Sequence, residues 1–137
     1  MLFRSVIPRS LEPKELSGSA VGKVIVVESM HERKLLMAKH SDAFIAMPGG
    51  FGTLDELFEM ITWGQLGIHV KPVGLLNVDG YFDPLLQWID NAISAGFVGA
   101  TQRDLVLTAS DPATLLDRIA AYVPPPGLLP WMDIEQT

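Results

Sequence analysis

The chain contains no cysteine, which removes disulfides, thiolate metal sites and cysteine nucleophiles, and fits a reducing compartment. Positive charge is scarce. Ten Lys and Arg stand against 16 Asp and Glu, for a net charge of −6, so a polyanion such as DNA or RNA is repelled over most of the surface and no nucleic-acid partner is expected. A small phosphate ligand escapes that exclusion, because it needs only a local cluster of donors. Long apolar runs are missing too: none approaches the roughly 18 residues of a membrane span. Met1 to Leu11 is interrupted by Arg4, Pro8 and Arg9, where a secretory signal needs an unbroken apolar stretch. No membrane association is expected, and the cytoplasm is the expected compartment, with the nucleus as a second one. His31, His40 and His69 have neither H-x-x-x-H spacing nor cysteine neighbours, so no metal centre is expected. There is no G-x-S-x-G nucleophile turn. Lys23, Lys34, Lys39 and Lys71 offer no distinctive setting for a pyridoxal phosphate Schiff base, and no cofactor is expected.

What is present is a chain of 137 residues, 48% hydrophobic, enough for one core and a single domain. Short apolar or β-branched runs alternate with longer segments of helical period, the pattern of an α/β fold with a parallel sheet flanked by helices. Strands are expected at Lys23–Val27, Ala43–Met47, Pro72–Val78 and Leu105–Thr108, with a weaker one at Leu2–Ile7. Each is nearly continuously apolar, as buried parallel strands are. Helices are expected over about Met30–His40, Thr53–Leu66, Pro84–Ala95 and Pro112–Tyr122. Ser29 with Glu32, and Thr53 with Glu56, have capping-box spacing; Asp83-Pro84 and Asp111-Pro112 each place an N-cap aspartate before a proline at the first helical position. The domain is expected to span residues 1–123, followed over 124–137 by a tail opening on Pro124-Pro125-Pro126-Gly127. Doubly wound folds normally open with a further β–α unit, so either the sheet here is small, or it is partial and an N-terminal portion is absent.

The segment Met47-Pro48-Gly49-Gly50-Phe51-Gly52-Thr53-Leu54-Asp55-Glu56 runs from an apolar strand through three glycines directly into a helix. Glycines let backbone approach a ligand, and the N–H groups at a helix start favour an anion through donors and dipole alike. The spacing is neither that of the dinucleotide G-x-G-x-x-G turn nor that of the P-loop. A purely structural reading stays open: Thr53 and Glu56 as a helix cap, and the glycines as a tight turn. Met30-His31-Glu32-Arg33-Lys34 opens the preceding helix. In a parallel sheet all strand carboxyl ends share one edge, which would put Arg33 and Lys34 at the same rim as the turn; the alternative is that they are solvated helix charges. Glu12-Pro13-Lys14-Glu15 is a charged loop ahead of the Lys23 strand. Leu54, Leu57, Phe58 and Ile61 form one apolar stripe on the helix after the turn, yet Met60, Trp63 and Leu66 are apolar as well. Such a helix is buried on several sides, against a neighbouring helix or a second subunit.

Taken together, Met30-His31-Glu32-Arg33-Lys34 and Pro48-Gly49-Gly50-Phe51-Gly52-Thr53-Leu54-Asp55-Glu56 resemble the LOG family of cytokinin riboside 5′-monophosphate phosphoribohydrolases, often labelled lysine decarboxylases. The likeness continues through Ile61–His69 and Lys71–Tyr81 and back to Val6-Ile7-Pro8 with Glu15. It implies a Rossmann-like doubly wound fold, a homodimer, and hydrolysis of the N-glycosidic bond of a nucleoside 5′-monophosphate to free base and ribose 5-phosphate. It also implies that Arg33 and Glu56 are catalytic, and that Glu15, Lys34, Gly49, Gly50, Phe51, Gly52, Thr53, Leu54, Asp55 and Thr62 contact substrate. Alternatives on the same fold are a general purine or pyrimidine 5′-monophosphate nucleosidase and a non-catalytic nucleotide carrier.

Overall fold

The computed structural model describes residues 4–11 and 22–126. They divide into two compact units, residues 1–41 and 42–137, and all described strands are parallel, in two small sheets with flanking helices. This is the mixed α/β architecture expected, consistent with a Rossmann-like fold, but the strand ladders form a two-stranded and a three-stranded sheet rather than one.

In the first unit, β1 (Arg4–Pro8) pairs with β2 (Lys23–Val27), Val6 opposite Ile25. Of β2 only Val27 is buried, less than a continuously apolar strand suggests; a two-stranded sheet covers little of it. Helix α1 (Met30–His40) matches the expected bounds. Its start is built as the spacing implies: Ser29 Oγ accepts the Glu32 N–H at 3.1 Å, while the Glu32 carboxylate reaches back to the Glu28 N–H at 2.8 Å, one residue further than a standard capping box.

In the second unit the order is β3 (Phe44–Ala46), β4 (Val73–Leu76), β5 (Val106–Ala109). Parallel neighbours need a crossover: α2 (Phe51–Gln65) joins β3 to β4, and α3 (Asp83–Ser94) lies between β4 and β5. β4 is central, with Val73 and Leu75 buried. Helix α4 (Pro112–Ala120) packs on it so closely that a Cβ on Gly74 would meet Leu115 Cδ1 at 3.0 Å. Among the described residues β5 is an edge strand. Its outward carbonyls at Val106 and Thr108 accept bonds from Arg103 and Arg118, which blunts an edge open to further pairing. Asp111 caps α4 as expected, accepting the Thr114 N–H at 2.9 Å. Asp83 does not cap α3; the N-cap is Phe82 and Asp83 is the first helical residue, because its carboxylate accepts from Asn77 Nδ2 at 2.7 Å instead. Of the expected tail, residues 124–126 are described and Pro125 is buried; the rest lies outside the described residues.

Candidate active site

The chain leaves β3 through the exposed Met47 and Pro48 and turns into α2 at Phe51. The expected cap at Thr53 with Glu56 is not what forms. Gly50 is the N-cap, with φ −95° and ψ −153°, and no side chain caps the helix. Its carbonyl accepts the first helical bond, from the Leu54 N–H at 3.2 Å, so the helix is already under way at Thr53. Thr53 and Glu56 are thus helical residues, and the N-cap position is not at Thr53. An α-helix leaves its first N–H groups without intrahelical acceptors. Here those of Phe51, Gly52 and Thr53 are at hand, with no acidic side chain in the first turn. Donors and dipole together favour an anion at this point.

The three glycines differ in what the fold asks of them. A Cβ on Gly49 would stand 2.2 Å from Thr53 Oγ1 and 3.0 Å from Thr53 Cβ, so the turn closes only with hydrogen there. A Cβ on Gly50 or Gly52 would meet nothing within 4 Å, and none of the three has positive φ. Neither packing nor backbone conformation requires glycine at 50 and 52; what their bareness does is leave the backbone approachable. Glu56 is half-buried and one turn beyond Thr53 on the same helical face. Asp55 and Phe51 are exposed, Phe51 to 94%. Thr62 is exposed too, but it lies nine residues past Thr53, roughly 14 Å along the helix axis, away from the turn.

One neighbour of the turn was not anticipated. β4 runs parallel to β3, so both strands release the chain at the same edge, where α/β folds bind ligands. Beyond β4, a short 3-10 turn at Val78–Gly80, with Asp79 and Gly80 at φ 50° and 72°, brings Tyr81 back over the glycines. Its hydroxyl donates to the Gly49 carbonyl at 2.6 Å. The Phe82 N–H donates to Asn77 Oδ1 at 2.7 Å, and the buried Phe82 ring meets Tyr81 edge-on with centroids 5.1 Å apart. The only sequence sign of this was an Asn…Asp-Gly-Tyr run at a strand end.

Arg33 and Lys34 belong to the first unit, whereas the turn, Glu56, Thr62 and Tyr81 belong to the second. Arg33 is half-buried and its Nε donates to the Val6 carbonyl at 3.0 Å, which is not the setting of a plain solvated helix charge. Lys34 is half-buried. Glu15 lies outside the described residues.

Residues 3–119 match the family model described as "possible lysine decarboxylase". The chain belongs to that family. It is similar to the cytokinin riboside 5′-monophosphate phosphoribohydrolases LOG3 and LOG2 of Arabidopsis thaliana. Identity to LOG3 is 56% over 119 residues, 87% of this chain and 55% of that protein. For LOG2 it is 54% over 119 residues, 87% of this chain and 56% of that protein. The LOG phosphoribohydrolase of Oryza sativa subsp. japonica is 56% identical over 119 residues, 87% of this chain and 49% of that protein. The chain spans about half the length of the curated relatives it matches.

In this family member the far end of α2 is tied down by His69. The buried ring sits with Nε2 2.8 Å from the Met60 carbonyl, and Nδ1 accepts the Lys71 N–H at 3.1 Å. Those partners assign the proton to Nε2. Burial holds the imidazole pKa below its usual 6.5; the Met60 carbonyl opposes that shift, and the Lys71 charge adds to it. A neutral histidine thus links the last turns of α2 to the entry of β4 and steadies the helix that carries Glu56.

Proposed function

We propose that this chain carries the phosphate-binding turn and the catalytic glutamate of an enzyme that hydrolyses the N-glycosidic bond of cytokinin riboside 5′-monophosphates, releasing the free cytokinin base and ribose 5-phosphate. The observation that carries the proposal is the uncapped, glycine-edged start of α2 with Glu56 one turn further on. The names of the relatives supply the substrate class. A lysine decarboxylase finds less support. A Schiff-base lysine is activated by burial or by a cationic neighbour, and none of the described lysines is buried.

Cleavage of a ribosyl N-glycosidic bond builds oxocarbenium-like charge on the sugar, which a carboxylate stabilises while activating water for attack. Glu56 takes that role and Arg33 is the second catalytic residue. The N–H groups at the start of α2 receive the 5′-phosphate, and the remaining residues of Gly49 to Asp55, with Glu15, Lys34 and Thr62, complete the substrate contacts as the family resemblance implies. The enzyme works as a homodimer in the cytoplasm.

Glu56→Gln keeps the length and helix propensity of the side chain and removes its charge. Release of base from an N6-isopentenyl AMP substrate should fall about a hundredfold or more, the range of a lost acid–base group, with little change in melting temperature. Full activity in the variant, or the same loss with AMP alone as the preferred substrate of the wild type, would overturn the glutamate's role or the cytokinin specificity respectively.

A further inference from the structure

We propose that Tyr81 is a positioning residue for the phosphate-binding turn, acting through the Gly49–Gly50 peptide. The inference rests on the phosphate reading of that turn and deepens it. A trans peptide is planar, and its C=O and N–H point in opposite directions. The Tyr81 hydroxyl holds the Gly49 carbonyl at 2.6 Å, so the Gly50 N–H on the other side of the same plane is aimed away from Tyr81. Glycines on both sides of a peptide leave it free to rotate. Rotated, it would present the Gly49 carbonyl dipole where the donors of α2 gather, and a carbonyl oxygen repels a phosphate. The hydroxyl blocks that alternative.

The clamp is itself fixed. Asn77 Nδ2 donates to Asp83 Oδ1 and Asn77 Oδ1 accepts from the Phe82 N–H, both at 2.7 Å, so the residues flanking Tyr81 are held from the end of β4 and the start of α3. Phe82 is 1% exposed beneath the Tyr81 ring. Gly80 follows the same logic, since at φ 72° a Cβ would meet Asp83 Oδ2 at 2.6 Å. Thr53 stands close on the helix side, where a Cβ on Gly49 would meet its Oγ1 at 2.2 Å, so the turn lies between a tyrosine from the segment after β4 and an α2-borne threonine. Tyr81 never touches the reacting atoms in this scheme; it selects which face of one peptide the ligand meets.

The test compares two probes on the full chain by calorimetric titration: AMP, which carries the phosphate, and adenosine, which does not. Wild type should bind AMP more tightly than adenosine. Tyr81→Phe, which keeps the ring and deletes the hydroxyl, should weaken AMP about three- to tenfold, the worth of one hydrogen bond, and leave adenosine unchanged. Amide exchange at Gly50 should quicken in the same variant. A general packing defect would instead weaken both probes alike, and that result overturns the clamp. So does an unchanged AMP-to-adenosine ratio in Tyr81→Phe when wild type discriminates. If wild type itself shows no preference for AMP, the phosphate reading of the turn fails, and the clamp with it.

Discussion

Replacing the turn's glycines one at a time by alanine should separate those the fold requires from those the ligand requires. Gly49→Ala drives a methyl to 2.2 Å from Thr53 Oγ1 and 3.0 Å from Thr53 Cβ. Rotating the threonine moves its hydroxyl but not its Cβ, so the backbone must shift, at a cost of about 1–3 kcal/mol. For a chain of this size that is a fall of roughly 4 °C in melting temperature per kcal/mol. In a Thr53→Ala background the 2.2 Å contact is gone, and the penalty of Gly49→Ala should drop by about 1 kcal/mol, a coupling readable in a double-mutant cycle. Gly52→Ala should behave oppositely. Its methyl meets nothing within 4 Å, and alanine is the better helix residue by up to about 1 kcal/mol, so melting temperature should hold or rise. AMP affinity should nevertheless fall about tenfold, about 1.4 kcal/mol, as the methyl keeps a phosphate from the exposed N–H groups. Thermal denaturation and calorimetric titration read the two effects separately. A Gly52→Ala variant that melts lower, or binds AMP as wild type does, would refute the division, as would a Gly49→Ala penalty indifferent to Thr53.

Two further outcomes follow from the described residues. His69 has a folded pKa below its usual 6.5, so between the folded and unfolded values the unfolded chain binds more protons. Its stability contribution is therefore complete above about pH 6.5 and is lost as pH falls toward the folded pKa; the midpoint of urea unfolding should drop between pH 7 and pH 5, and His69→Gln should flatten that dependence. An equally steep slope in the variant would assign it to other groups. The proposed homodimer predicts a sedimenting species of twice the chain mass at micromolar concentration, in keeping with the exposure of Phe51, Trp88 and Phe97 at 94%, 55% and 86%; a monomer at every concentration removes it.

The sequence was most legible where side chains talk to their own backbone or repeat with a simple period. The β–α alternation placed every described strand and the four helices to within two residues, and Ser29 and Asp111 cap as their spacing implies. It was least legible where a cap has competitors. Thr53 loses to Gly50 because a glycine can end the strand and open the helix by backbone alone, and Asp83 loses to Phe82 because Asn77 claims its carboxylate. The two cases differ in kind: Thr53 falls inside a helix that the backbone has already opened, whereas Asp83 is taken up by a side-chain contact. Tyr81 was hidden because its partner is 32 residues away in sequence.

The misplaced cap also changes the weight of the functional reading. As long as Thr53 and Glu56 closed a capping box, helix stability alone accounted for both, and nothing about the turn required a ligand. With the helix opening at Gly50, Thr53 stands where a Cβ on Gly49 would have to go, and the Glu56 carboxylate is set one turn from three backbone donors. A glycine that packing demands and two that it does not stand side by side in Gly49, Gly50 and Gly52. The first is explained by the fold. The other two forgo helix propensity and capping strength without a return from packing among the described residues, and a phosphate drawn to the exposed N–H groups is the partner whose approach their bareness would serve.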